Sequence, residues 1–143
     1  MIDITGKHEI PRTAIAKGTI TLSNRNIQAI EQGNVKKGDV FEISRVAGIT
    51  AVKQTPLLIP MCHPIPIEKI GIMFRTTPTS IIVRCEVKTT ARTGVEMEAL
   101  MGVSAALMNI WDMVKYLEKD KDGQYPETRI TDIHVVEKRK HDA

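Results

Sequence analysis

Aromatic residues make up only 3% of this 143-residue chain: one Trp, two Tyr and two Phe. That scarcity argues against an RNA-binding sheet, which needs aromatic side chains for stacking; Phe74 stands almost alone on the strands expected below. There are two cysteines, too few for a disulfide framework or a four-cysteine zinc site. No uncharged run approaches the 18 residues of a membrane span, and Met1 to Ile10 carries Asp3, Lys7 and Glu9 where a signal peptide would be apolar. A reducing, cytoplasmic setting is expected, without membrane or nucleic acid as partner. The charge excess is small, 20 Lys+Arg against 17 Asp+Glu, a net +3 that suits an anionic small molecule better than a polynucleotide.

With 42% hydrophobic residues the chain is of a size to close one core, and one domain over 1–143 is expected, with an N-terminal arm (1–11) and a basic tail (137–143). β-branched residues crowd Arg12 to Leu22 and predict a strand. Ser23 can cap a short helix ending near Gly33. Asp39 and Glu42 have capping-box spacing, and Ile43, Val46, Ala47 and Thr50 follow at i, i+3, i+4 and i+7, predicting a second helix with Lys53 near its end. Pro56, Pro60, Pro64 and Pro66 predict that 55–66 is a rigid, largely extended connection, since proline inside a helix costs about 3 kcal/mol.

Alternation predicts strands over 67–75 and 81–88, joined by a hairpin at Thr76 to Ser80. A helix over 96–119 is apolar nearly all round between Ala99 and Val114, which implies contact with the sheet and with a second subunit. Arg129 to Val136 supplies a last strand. The expected fold is an α+β, ferredoxin-like β-α-α-β-β-α-β sandwich: an antiparallel sheet with helices on one face.

Chemistry concentrates in a few places. Glu96 and Glu98 open the long helix about 200° apart, so one face cannot direct both inward. Their simplest role is to complement the helix dipole. His63 is fixed by flanking prolines and suits either acid–base work or a backbone hydrogen bond. Cys62, without further cysteines, reads as packing. Lys37 and Gly38 precede a capped helix, a seat for phosphate, though any one lysine beside a turn is ordinarily just solvated. Asp112 sits among Ile110, Trp111, Met113 and Val114 and needs either a partner, for which Lys115 is nearest, or a raised pKa. Glu98 and Asp112 are 14 residues apart, roughly 21 Å along one helix. They cannot meet at one reacting atom within one chain. If both are catalytic, either one touches the far end of a long ligand or the site is built between subunits, which the broadly apolar helix also suggests and which is the expectation adopted.

Six segments in order resemble the MoaC family: Met1-Ile2-Asp3-Ile4; Lys37-Gly38-Asp39-Val40-Phe41; Ala47-Gly48-Ile49 with Ala51-Val52-Lys53; Ile59-Pro60-Met61-Cys62-His63-Pro64; Thr93-Gly94-Val95-Glu96-Met97-Glu98-Ala99-Leu100; and Asp112-Met113-Val114-Lys115. The resemblance implies a pyrophosphate-releasing lyase of molybdenum cofactor biosynthesis, a cyclic pyranopterin monophosphate synthase. Its substrate would be a cyclic dihydro-GTP supplied by a radical enzyme, and it would work without metal or cofactor. By the same resemblance Lys53, Asp112 and Lys115 would move protons. Cys62, His63, Thr93, Glu96, Met97 and Glu98 would line the base and sugar, and Lys37 would lie near the phosphates. The family's hexamer, a trimer of dimers with sites between protomers, is implied as well. Similar proteins end in a Lys-Ser-Gly-Gly-Lys-type tail; here Glu137-Lys138-Arg139-Lys140-His141 stands in its place, with Lys138 matching the first tail lysine. A ligand-sensing regulatory domain and a metal-dependent nucleotide hydrolase are the alternatives from other classes.

Overall fold

A computed structural model describes residues 1–141. The elements follow the expected order: β1 (Ile10–Thr21), α1 (Asn24–Glu31), α2 (Val40–Leu58), β2 (Lys69–Thr77), β3 (Ser80–Ala91), α3 (Glu96–Glu118) and β4 (Arg129–Lys140). The sheet runs β2-β3-β1-β4 with every neighbouring pair antiparallel, the ferredoxin-like arrangement. Its helix-facing side is apolar by strict alternation: Ile81, Val83, Cys85 and Val87 of β3 are all fully buried. Against them lie Val103, Ala106, Leu107 and Ile110 of α3, also fully buried.

Small residues set the spacing of the helix pair. α2 and α3 run antiparallel, with Asn109 Nδ2 donating to Ser44 Oγ at 3.0 Å at one end. In the middle, a Cβ on Gly48 would lie 2.9 Å from the Gly102 carbonyl oxygen and would collide with Ile72. The buried face of α2 is therefore Val40, Ser44, Gly48, Ala51, Val52 and Thr55. This corrects the stripe expected from hydrophobicity: Ile43 and Val46 are 41% and 63% exposed. The close approach of two helices selected small side chains, not large ones.

Two boundaries also differ from expectation. α2 continues through Pro56 to Leu58 instead of ending before an extended segment. The proline removes one N–H from the ladder, but the buried Thr55 hydroxyl donates to Ala51 O at 2.9 Å and Ile59 N–H donates to Thr55 O at 2.9 Å. Packing on α3 outweighs the local cost of the proline. The irregular connection is confined to residues 59–68. At the other end, Glu137 to Lys140 are not a tail but the end of β4, with Lys138 opposite Ala14 and Lys140 opposite Arg12. β1 needs a partner on that side along its whole length, and the charged residues supply backbone pairing while their side chains stay at the surface. Residues 142 and 143 of the expected tail lie outside the described residues. No helix among the described residues is long and apolar enough to cross a membrane.

Candidate functional site

The site residues expected from sequence fall into two groups at opposite ends of α3, with Lys53 in neither. At the start of α3, Thr93 and Gly94 turn the chain into Glu96. The Glu96 carboxylate folds back over Gly94, into the space a Cβ would fill. Glu96 Oε1 lies 3.6 Å from Lys138 Nζ on β4. Glu98, the other acid of the first turn, points inward and is only 1% exposed. The opposed directions expected from helix geometry are realised, but dipole complementation does not account for the buried one.

Glu98 Oε2 accepts a hydrogen bond from Cys62 Sγ at 3.8 Å, and its Oε1 is buried without a partner. Burial pushes the Glu98 carboxyl above the ordinary carboxylate range, and the negative Glu96 nearby adds to this; hydrogen bonds from the helix backbone and from Cys62 pull the other way. Burial also raises the Cys62 thiol, helped by the Glu98 and Glu96 charges, so Cys62 is a weak nucleophile as it stands. Cys85, inside the sheet, is pushed up to about 12 by burial and is inert packing.

His63 is half-buried and its Nε2 lies 2.7 Å from Ile2 O, so that nitrogen carries a proton in this arrangement. Both earlier readings of His63 meet here, since the ring bonds backbone and also lines a cleft. That cleft, about 630 Å³, is bounded by Cys62, His63, Thr93, Gly94, Glu96 and Met97. The N-terminal arm closes one side of it with Met1, Ile2, Ile4 and Lys7. Sequence reasoning missed these arm residues as part of the site. Their one signal was the Met1-Ile2-Asp3-Ile4 segment, which carries no chemistry of its own except Asp3, whose carboxylate accepts the Thr5 N–H at 2.9 Å to fold the arm.

At the far end of α3, Asp112 is joined by two lysines. Lys115 Nζ lies 3.1 Å from Oδ1, and Lys37 Nζ lies 3.3 Å from Oδ2 and 2.7 Å from the Asp112 carbonyl oxygen. The setting is not apolar, as the neighbouring residues suggested: Ile110, Met113 and Val114 turn into the core while the Asp112 side chain is 58% exposed. The hydrogen bond from Lys115, then that from Lys37, hold the Asp112 carboxyl below its ordinary range. A raised pKa is therefore excluded in favour of a partner, and Lys37 is a second partner. The N-terminus of α2 is occupied by the Asp39 carboxylate, which accepts the Glu42 N–H at 3.2 Å, so Lys37 serves the Asp112 group instead. Lys53 projects from the exposed side of α2. Among the described residues no three His, Cys, Asp or Glu side chains gather as a metal-ligand set.

The buried acid gives a first expected result. A carboxyl whose folded pKa is raised keeps its proton to higher pH in the native than in the unfolded state, so stability falls as pH rises past the unfolded value near 4.5. Glu98→Gln carries no such slope. Its melting temperature should gain on that of the natural chain as pH moves from acid to neutral, and a difference independent of pH would contradict the burial of this acid.

The α+β sandwich thus carries a cleft lined by an imidazole, a thiol and a carboxylate at one end of α3, and a separate Lys-Asp-Lys group at the other. The chain belongs to the MoaC family, whose family model matches residues 1–141. It is 54% identical over 140 residues to a probable cyclic pyranopterin monophosphate synthase of Aeropyrum pernix, covering 98% of this chain and 96% of that one. Proteins of the same description from Thermoplasma acidophilum and Methanosphaerula palustris are each 56% identical over 140 residues, 98% of this chain and 98% and 91% of theirs.

Proposed function

We propose that the protein is a cyclic pyranopterin monophosphate synthase, a lyase that converts (8S)-3',8-cyclo-7,8-dihydroguanosine 5'-triphosphate to cyclic pyranopterin monophosphate and pyrophosphate. The observation that carries the mechanism is the division of the site residues between the two ends of α3, roughly 21 Å apart. One ligand meets both groups only if they come from different subunits, so the working unit is a homo-oligomer, and the hexamer built as a trimer of dimers supplies such pairs. The exposed Ile43 and Val46 on α2 and Met108 on α3, 61% exposed, offer apolar surface for that assembly.

In this reading the cleft of Cys62, His63, Thr93, Glu96 and Met97 receives the base and sugar of the substrate, with Glu98 buried behind Cys62 and reached through it. Asp112, kept ionised by its lysines, accepts a proton during rebuilding of the ring, and Lys115 and Lys53 return protons to developing amines and alkoxides. Lys138 offsets phosphate charge as pyrophosphate departs, and Lys37 does so when substrate draws it from Asp112, leaving Lys115 as that carboxylate's partner. The two free thiols fit a reducing, cytoplasmic compartment. The substrate is supplied by a radical enzyme acting on GTP.

The test is direct. Pure protein incubated with enzymatically prepared cyclic dihydro-GTP should yield the pterin product and pyrophosphate in equal amounts. Tight binding with neither product would refute the assignment and favour a ligand sensor.

A further inference from the structure

The face of the sheet turned away from the helices holds a second concentration of charge. Because Val83, Cys85 and Val87 face the core, alternation sends Arg84, Glu86 and Lys88 to the opposite side. The register sets Lys17 of β1 directly opposite Arg84, and Lys69 of β2 directly opposite Lys88. Arg75 of β2 and Arg139 of β4 share that face. With Arg129 of β4, set opposite Thr21 on the same face, seven cations stand with two carboxylates, Glu86 and Glu137, an excess of five where the whole chain carries +3. The rest of the molecule is close to neutral; its basic character is on this face.

Both carboxylates are already engaged. Lys69 Nζ lies 3.3 Å from Glu86 Oε1, and Arg139 Nε lies 2.9 Å from Glu137 Oε1. Lys17, Arg75 and Arg84 pair with no acid among the described residues. Like charges directly opposite one another weaken a sheet, and Lys17 and Arg84 are partly buried, so water screens them less than it would on an open surface. These three side chains, with Met73, line a depression of about 160 Å³, room for a phosphate-sized ion.

We propose that this depression binds a phosphate-class oxyanion, gripped through the forked guanidinium donors of Arg75 and Arg84 and neutralised by Lys17. It lies on the side of the sheet away from the cleft and the Asp112 group, and the inference does not depend on the activity assigned to them. The strands fix where the three side chains leave the backbone, and an anion held between them relieves their mutual repulsion.

Met73 lines the depression and Met97 lines the cleft, so methyl-labelled methionine reports on both in the intact assembly. Inorganic pyrophosphate, added against potassium chloride of matched ionic strength, should shift the Met73 methyl resonance saturably. Arg84→Gln and Lys17→Gln should each weaken that response about tenfold or more while leaving the Met97 response unchanged. With like-charge repulsion removed, both variants should fold at least as well as the natural chain in phosphate-free buffer. A Met73 signal that moves equally with chloride, or equally in the variants, would overturn the site. Change of oligomeric state in Arg84→Gln without any specific effect of pyrophosphate would show the face to be a contact between copies, and would overturn it too.

Discussion

Asp112→Ala lowers turnover of cyclic dihydro-GTP by about 10²- to 10⁴-fold, the range typical of losing a positioned acid–base group. The fold should tolerate the change, because the side chain is more than half exposed and packs against nothing in the core. Loss of activity with an unchanged melting temperature is therefore the expected signature. A pH profile refines it. Lys115 and Lys37 hold the carboxyl below its usual range, so the acid limb of the wild-type profile lies lower than that of an unassisted aspartate. Removing the second cation with Lys37→Ala lets that pKa rise, and the acid limb should move to higher pH. An acid limb that stays in place would assign the titration to another group.

Gly48→Val should destabilise the protein by about 3 kcal/mol, the upper end of ordinary overpacking costs. At this chain length that corresponds to a fall in melting temperature of about 6–12 °C. The reason is local: the first added carbon would lie 2.9 Å from the Gly102 carbonyl oxygen, and a backbone atom in the middle of a helix cannot step aside. The only flexible neighbour on that side is Ile72, itself 5% exposed and held by the sheet. Forcing α2 away from α3 also separates Cys62 from Glu98 at one end and Lys37 from Asp112 at the other. Activity should then fall even at temperatures where the variant is folded. A variant as stable as the natural chain would contradict the close helix contact.

Much of the fold was legible because hydrophobic period and turn chemistry agree. β3 alternates without exception and α3 is long and broadly apolar, so their identity is clear from residue order, although β3 runs on to Ala91, three residues past its expected end. α2 was harder. Its large residues Ile43 and Val46 suggested the buried face, whereas the buried face is Ser44, Gly48 and Ala51, small residues whose role only a neighbouring helix explains. Pro56 suggested an end to the helix that tertiary packing overrode. The run Glu137-Lys138-Arg139-Lys140 has the composition of a basic tail, and only its pairing with β1 makes it strand.

The candidate site was legible as chemistry but not as geometry. The opposed directions of Glu96 and Glu98 and the Asp112–Lys115 pair followed from helix spacing. The Lys37 contact with Asp112 spans 75 residues, and no local pattern announces it. The apolar sequence around Asp112 was misleading, since a helix can bury both neighbours and expose the residue between them. The arm residues Met1, Ile2 and Ile4 reach the cleft through contacts distant in sequence, that of His63 with the Ile2 carbonyl across 61 positions and that of the Met1 amino group with Met61 Sδ at 3.3 Å.

The central claim, a site assembled from the two ends of α3 in different subunits, is tested by mixing two inactive proteins. Glu98→Ala lacks the buried carboxyl behind the cleft and Asp112→Ala lacks the proposed proton acceptor. Co-expressed or refolded together in equal amounts, they form mixed assemblies in which about one quarter of the sites draw both groups from intact ends. Recovery of pyrophosphate release to about that fraction of the natural activity is the predicted result. Mixed assemblies, verified by differential tagging, that remain as inactive as either parent would contradict it.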